Sequence, residues 1–234
     1  MEVPPIAKTA DADATIPAWE GRSVDQVLRG GRDRLLARSR RIVVAGQELI
    51  SKHGLEALTL RAVLKRTGLS RRAFYERFGS KDDLLLAIFE DTILTSAQRF
   101  TEEIAELDDP MERLRSIIVS MITESHSREL RRRSVALSRE ELRLTESHPE
   151  ELDRALQPMI NLIAEQLANG VDAGVMRDEG QLETAVMIYR LVASTVHSAL
   201  LGSPLSEEYS AQTEAQAREL AETVWGFCKR AISK

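Results

Sequence analysis

Two adjacent arginines, Arg71 and Arg72, lie in a short amphipathic segment that has the chemistry needed to read nucleobases. An arginine guanidinium can donate two parallel hydrogen bonds to O6 and N7 of guanine in the major groove. Phe74 and Phe78 are four residues apart, so in a helix they would share the buried face and leave the arginines exposed. We therefore predict that Arg71, Arg72 and Ala73 occupy the base-reading positions.

Side chains suited to phosphate groups surround this segment. Hydroxyl groups, lysine ammonium groups and backbone N–H groups at helix starts all bind phosphate oxygens and so set the register of a protein on DNA. These contacts carry no sequence information of their own. The predicted phosphate contacts are Thr59, Ser70, Tyr75 and Lys81.

The elements that must position these groups form a predicted helix-turn-helix over residues 59–78. Thr59 and Ser70 can each cap a short helix, and Gly68 can supply the left-handed turn between the helices. Leu69 can fill the corner. Any packed helical hairpin needs similar spacing, so the pattern alone also fits a hairpin that packs only against protein. The inward-facing residues of the first helix are Leu60, Val63 and Leu64.

Charge is distributed unevenly along the chain, although the net charge is only −5. Residues 31–83 carry 13 Lys and Arg against 6 Asp and Glu, which leaves the rest of the chain strongly acidic. A basic block inside an acidic protein is typical of a surface that binds a polyanion. A solvated charged face would give the same count.

Helical periodicity and helix-start signals predict an all-α fold. Apolar pairs recur every seven residues from Leu35/Leu36 through Ile42/Val43 to Leu49/Ile50, which predicts a helix over 33–53 that Gly54 ends. Predicted caps for later helices are Ser80, Asp109, Ser147 and Ser206. The later helices are expected near 81–107, 110–126, 128–145, 149–169, 181–201 and 207–232.

Three regions follow from this pattern. Residues 1–30 contain three prolines and no sustained period, so we predict a disordered N-terminal extension. Residues 31–80 are predicted to form the helix-turn-helix domain, and residues 81–234 a second helical domain. The segment 181–201 is apolar on several sides. Burial against its own domain and a partner subunit is favoured over a membrane span, because charged residues interrupt it.

Several classes of protein are disfavoured. Cys228 is the one cysteine, so a disulfide framework is excluded within the chain, and the three histidines after residue 120 lack the spacing of metal ligands. The common motifs of serine hydrolases, phosphate-binding loops and zinc proteases are absent. We expect no catalytic residues, no metal, no cofactor and no signal peptide, and we expect a cytoplasmic protein.

Residues 42–84 resemble the N-terminal domain of the TetR family of bacterial transcription regulators. The resemblance is most specific in the run YERFGSKDDLL, where Tyr75, Phe78, Lys81 and an acidic pair stand at the spacing typical of that family. It implies that Tyr75 and Lys81 contact phosphates and that the helix from Ser70 to Phe78 reads bases. Other matching positions are Ile42, Ala45, Leu49, Gly54, Val63, Gly68, Leu69, Ser70 and Leu84.

Three residues depart from the family pattern. Gly46 and Leu64 stand where alanine is usual, which suggests altered packing, and Ala73 stands where a small hydroxyl residue is common. The last departure removes a possible hydrogen bond to DNA. Glu76 can accept from cytosine or pair with Arg72 one turn earlier, and we favour the ion pair.

The resemblance also implies that residues 81–234 form a ligand-binding and dimerisation domain. In this family the C-terminal helices form a ligand pocket and a dimer interface, so we predict a homodimeric, ligand-responsive repressor that binds a palindromic operator. The alternative is a helical regulator or adaptor that a protein partner controls without a small-molecule inducer. Candidate pocket residues are Met121, His126, Met159, Tyr189 and His197. Candidate interface residues are Leu191, Val192, Val196, Leu200, Leu220, Val224 and Phe227.

A basic run from Arg128 to Arg133 stands apart from the recognition region. It could receive an acidic ligand or contact DNA. A solvated helix start, balanced by later glutamates, is the favoured interpretation.

Overall fold

A computed structural model describes the chain over residues 18–127, 130–201 and 213–234, with side chains described from Asp33 onward. These residues form nine α-helices and one short 3-10 helix, with no strand among them, so the predicted all-α fold is confirmed. The helices are α1 (Ala18–His53), α2 (Leu60–Thr67), α3 (Arg71–Tyr75), α4 (Lys81–Glu103), α5 (Pro110–Ser125), α6 (Arg131–Ser147), α7 (Pro149–Asp172), α8 (Gln181–Leu201) and α9 (Glu214–Ile232).

Helix α1 begins earlier than predicted, at Ala18. Residues 18–30 were expected to lack structure, but they contain no proline, and alanine, glutamate, leucine and arginine favour a helix once it has begun. Residues 1–17 of the predicted extension lie outside the described part of the chain. The predicted apolar face of α1 is wrong at its first pair, because Leu35 and Leu36 are both exposed.

The described residues divide into two units, one that ends at Arg40 and one that runs from Arg41 onward. Within the second unit one hydrophobic core extends from Ile42 to Ile232. The helix-turn-helix and the C-terminal helices therefore share buried side chains, and the division at residue 80 into two functional domains stays a prediction.

The predicted helix starts are confirmed at four positions. The side chains of Thr59, Ser70, Ser80 and Asp109 each accept a hydrogen bond from a backbone N–H in the first turn of the helix that follows.

The predicted cap at Ser147 is wrong. Ser147 ends α6 and donates to the carbonyl of Arg143, and His148 precedes Pro149 without a side-chain capping bond. Ser206 lies outside the described residues, and α9 begins instead at Glu214, where Thr213 and Gln216 form a reciprocal capping box.

Gly46 lets α1 approach α4 closely. A Cβ atom built at this position would lie 2.5 Å from Cδ1 of Ile88, a fully buried side chain of α4. The departure from alanine noted in the sequence therefore has a packing reason, since the extra methyl group would force Ile88 to move.

Helix α8 combines a buried face with an exposed apolar one. Ala185, Ile188 and Val192 are buried, and the helix packs against α5, α6 and α7. Leu182 and Met187 are exposed. By length and composition α8 is the one described helix that could cross a membrane. Its place in the helical core accounts for those apolar residues equally well.

Candidate functional site

The turn between α2 and α3 has the geometry that the sequence predicts. Gly68 has a φ of 67°, and its N–H donates to the carbonyl of Leu64. Thr67 reinforces the corner, because its hydroxyl bonds the carbonyl of Val63 and accepts from the N–H of Leu69. Arg41 of α1 donates to the carbonyl of Thr67 at 2.6 Å. The angle between the two short helices is thus held by backbone and side-chain hydrogen bonds.

Helix α3 is shorter than predicted, since it ends at Tyr75 and not at Phe78. The chain then tightens, because the N–H of Arg77 donates to the carbonyl of Phe74 three residues back. Phe74 and Phe78 are nevertheless both buried, with ring centroids 5.7 Å apart, as the sequence predicted.

The predicted base-reading residues are placed differently from one another. Arg71 is exposed, and the Arg72 side chain is 90% exposed. Arg72 forms the predicted ion pair with Glu76, with 3.0 Å between Nε and Oε1. Ala73 is half-buried, and its carbonyl accepts from Arg77, so it offers DNA at most part of a methyl surface.

Three of the four predicted phosphate contacts line one recess. This recess has a volume of about 150 Å³, and Thr59, Tyr75, Ser80 and Lys81 lie around it. Tyr75 and Lys81 are exposed, and the hydroxyl oxygens of Thr59 and Ser80 cap the starts of α2 and α4. A hydroxyl, a phenol and an ammonium beside two helix N-termini form a suitable receptor for a phosphate oxygen. Ser70, the fourth predicted contact, does not line the recess and caps α3.

Arg77 was not predicted as a site residue, yet its side chain is almost fully buried next to α3. Its side chain is only 5% exposed and turns back to donate to the carbonyl of Ala73. Oε2 of Glu76 lies 3.6 Å from Nη1 of Arg77. The Nε and Nη2 atoms of Arg77 have no partner among the described residues. This charged group adds positive potential around α3.

A cavity of about 160 Å³ lies among α4, α5, α6, α7 and α8. Three of the five predicted pocket residues, Met121, Met159 and Tyr189, line it. His126 and His197 do not. The Nδ1 atom of His126 lies 2.8 Å from the carbonyl of Ile122, and that of His197 lies 3.2 Å from the carbonyl of Ser138. Both rings therefore have backbone partners in the single chain.

Charged side chains also lie at the cavity, and of these only Arg133, in the basic run, was considered from the sequence as a contact for a ligand. The glutamates were missed because their helices have the charge pattern of solvated helices. Glu124 pairs with Arg99 through both oxygens. Arg133 and Glu141, both on α6, also line the cavity. Burial raises the pKa of the Glu141 carboxyl, although attraction to Arg190 opposes the rise. Burial and the charge of Glu141 raise the pKa of Tyr189 well above its usual range.

Helix α6 connects the cavity with the last turn of α1 and the first turn of α4. Arg143 grips Asp82, in the first turn of α4, through two hydrogen bonds of 2.7 and 2.9 Å. At the other end of α6, Arg132 donates to the carbonyl of Lys52 in the last turn of α1. Arg132 is exposed although it has this backbone partner, and Arg133 lines the cavity, so the interpretation of the basic run as a solvated helix start is wrong for Arg133.

The predicted interface residues fall into two groups. Val192 and Val196 line the cavity, and Leu200, Leu220 and Val224 are buried within the single chain, so an interface through these five residues stays a prediction. Because α8 is apolar on more than one side, its sequence does not distinguish the side that packs on its own chain from the side that is exposed.

The other two predicted interface residues lie on a groove of about 300 Å³ between α8 and α9. Phe227 is 58% exposed and Leu191 is half-buried beside it. Met187, which is not among the predicted interface residues, is 69% exposed on the same groove.

No group of three or more potential metal ligands lies together within the described ranges. Cys228 is a free, buried thiol, and burial raises its pKa to about 11. The thiolate is the reactive form of cysteine, so this side chain acts as an apolar core group at neutral pH.

Residues 42–88 match the model of the family described as bacterial regulatory proteins, tetR family. This span includes the last part of α1, the helix-turn-helix and the first two turns of α4. No curated protein sequence matches the chain.

Three solved structures illustrate the likeness of the whole fold. A protein from Rhodococcus sp., assigned to the TetR family of transcriptional regulators, has 20% identity and a TM-score of 0.65 over 84% of this chain and 98% of its own. A protein from Saccharomonospora viridis assigned as a transcriptional regulator, solved with choline, has 20% identity and a TM-score of 0.61 over 84% and 97%. RolR, solved with resorcinol, has 17% identity and a TM-score of 0.60 over 81% and 95%.

At these identities the likeness to solved structures establishes the fold, and the family model establishes the domain. The chain therefore carries the DNA-binding helix-turn-helix of the bacterial tetR family of regulatory proteins, within the fold of TetR-family transcriptional regulators.

Proposed function

We propose that this protein is a homodimeric repressor that binds a palindromic operator and leaves it when a small molecule occupies the cavity. The observation that carries the proposal is the recess at the joint start of α2 and α4. There Thr59, Tyr75 and Lys81 converge beside the exposed Arg71 and Arg72. Phosphate clamps next to unburied guanidinium groups are what a major-groove reader requires.

The surface groove formed by α8 and α9 supports a dimer. Two large apolar side chains, Met187 and Phe227, are more than half exposed there. An exposed apolar patch of this kind is typical of a protein interface. A two-fold axis through this groove would present two α3 helices to DNA, and a palindromic site would match that symmetry.

The cavity supports control by a small molecule. It is lined by apolar and polar groups together, and its α6 wall reaches both α1 and α4. Two proteins of the same fold hold choline and resorcinol. Ligand binding would release the operator only if the two conformations of the protein differ in ligand affinity.

Selection of genomic DNA fragments by the purified protein tests the proposal. A regulator of this kind enriches a palindromic sequence and binds it with a logarithmic affinity that falls steeply and linearly with the logarithm of salt concentration. Such a regulator acts where the chromosome is, in the cytoplasm. A helical adaptor controlled by a protein partner would enrich no sequence over random competitor, and that result would refute the proposal.

A further inference from the structure

The cavity among α4 to α8 has the size of a single ring. Its volume of about 160 Å³ is close to that of an engineered apolar cavity of about 150 Å³ that binds benzene. Phe89, Phe100, Met121, Met159 and Val192 supply apolar contact around it. A ligand that fills this space therefore has a compact apolar body of about the size of an aromatic ring.

The charges on the lining are not equivalent. Glu124 is neutralised, because both of its oxygens accept from Arg99. Arg133 also lines the cavity, but the cation that acts on the ionisation of Glu141 is Arg190. Glu141 has no cation within ion-pair distance in the described ranges of the chain, and Arg190 attracts it only from farther away.

The carboxylate of Glu141 thus reaches a largely apolar space without a direct counter-charge. A carboxylate in such surroundings is costly unless a cation or hydrogen-bond donor accompanies it. Tyr189 of α8 also lines the cavity, and it is buried and near enough to Glu141 for the ionisation of its phenol to be affected. The face of a phenol ring also attracts a cation.

We propose that the cavity binds small organic cations, in particular protonated amines attached to an aromatic or compact aliphatic body, with Glu141 as the counter-ion. This inference rests on the proposed function, since it names the ligand class of the same regulatory cavity. The carboxylate of Glu141 receives the ammonium group, the apolar lining encloses the body, and Tyr189 stands beside the charge. An anionic ligand would face Glu141 unfavourably.

Three probes of nearly equal size and different charge test the inference on the purified full chain by calorimetric titration. They are benzylamine, which is protonated at pH 7, ethylbenzene, which is neutral, and benzoate, which is anionic. We expect benzylamine to bind about tenfold more tightly than either of the others. Glu141→Gln should bring the three affinities to within about threefold of one another. Glu146→Gln, an exposed glutamate on the same helix, should leave the preference unchanged.

Equal or tighter binding of ethylbenzene or benzoate, no binding of any probe, or a preference that survives Glu141→Gln would overturn the inference. If Glu141→Gln does not fold, as judged from its helical circular dichroism, the order of affinities for the native chain alone decides. Duplex binding measured on the same preparation separates the two proposals. A chain that binds its duplex without the preference refutes the ligand class alone, and one that shows the preference without binding any duplex refutes the proposed repressor alone.

Discussion

Arg143 and Asp82 form a two-point ion pair that connects the helix lining the cavity to the first turn of the helix that begins with Lys81. Arg143 lies two residues after Glu141 on α6, and Asp82 directly follows the predicted phosphate contact. A displacement of α6 by a ligand would therefore act on the residue next to a DNA contact. Glu140 also accepts a hydrogen bond of 2.7 Å from Nε of Arg143, which helps to hold the guanidinium in place.

Loss of this ion pair should change the response of operator affinity to a ligand more than it changes the stability of the fold. Arg143→Ala should lower the free energy of unfolding by at most about 1 kcal/mol, because the pair is partly exposed to solvent. We expect Arg143→Ala to weaken the effect of a bound ligand on operator affinity severalfold, since a displacement of α6 would no longer be transmitted to α4 through this ion pair. Titration of the operator with and without ligand measures this coupling.

Arg139→Ala is the matched control for Arg143→Ala, because Arg139 is exposed on the same helix. Equal coupling in Arg143→Ala and the native chain would show that the ion pair does not transmit the effect of the ligand.

The ion pair between Arg143 and Asp82 should also lose its stabilising effect in acid. Arg143 holds the pKa of Asp82 below its ordinary value of 3.8, so its contribution is present above that value and is lost as the pH falls through the lower pKa.

Arg72 and Lys81 should differ in what they contribute to DNA binding. Arg72→Ala should reduce discrimination between operator and mutated operator by about 1 to 3 kcal/mol, because an exposed guanidinium on α3 can reach base edges. Lys81→Ala should weaken binding to all duplexes alike and reduce the salt slope by about one. Fluorescence anisotropy with specific and random duplexes at several salt concentrations measures both.

The ion pair between Arg72 and Glu76 adds a control to this experiment. Glu76→Gln should free the guanidinium and leave specific binding intact or improved, since Arg72 no longer exchanges one partner for another. If Arg72→Ala keeps full discrimination, its assignment as a base-reading residue is incorrect.

Phe227 should control the oligomeric state. Phe227→Arg places a charge in the centre of the groove between α8 and α9 and should convert the dimer to a monomer at micromolar concentration, because an unpaired charge is costly to bury. Analytical ultracentrifugation gives the mass. Leu142→Arg changes an equally exposed leucine on α6 and should leave the dimer intact. A dimeric Phe227→Arg protein would move the interface elsewhere.

His126 should make the fold sensitive to mild acid. Burial lowers the pKa of its imidazole below 6.5, assisted by the nearby charge of Arg131 and opposed by the bond to Ile122. The unfolded chain therefore binds a proton first, and stability should fall as the pH drops below about 6.5 toward the lower pKa of the folded state.

A chemical denaturation series between pH 7.5 and 5 tests this expectation for His126. His126→Phe, which keeps a ring but cannot be protonated, should lose less stability over the same interval. It should be less stable than the native chain at pH 7.5, because the hydrogen bond at Ile122 is lost. Identical pH profiles for the two proteins would assign the acid sensitivity to other groups.

The sequence by itself determined the local structure of the recognition region. Thr59, Gly68 and Ser70 act through hydrogen bonds and backbone angles that span three or four residues, so their spacing alone predicts the turn. The placement of Phe74 and Phe78 on one buried face follows from helical geometry in the same way.

Only the tertiary structure decided which side of a helix meets which neighbour. Val192 and Met187 are both apolar and lie on one helix, but the first lines the cavity and the second is exposed, because the packing of α5, α6 and α7 selects the inner face. Arg143 and Asp82 are 61 positions apart, and no spacing rule relates them. Short-range hydrogen bonds are encoded by neighbours in the chain, whereas contacts between helices depend on how the complete core is filled.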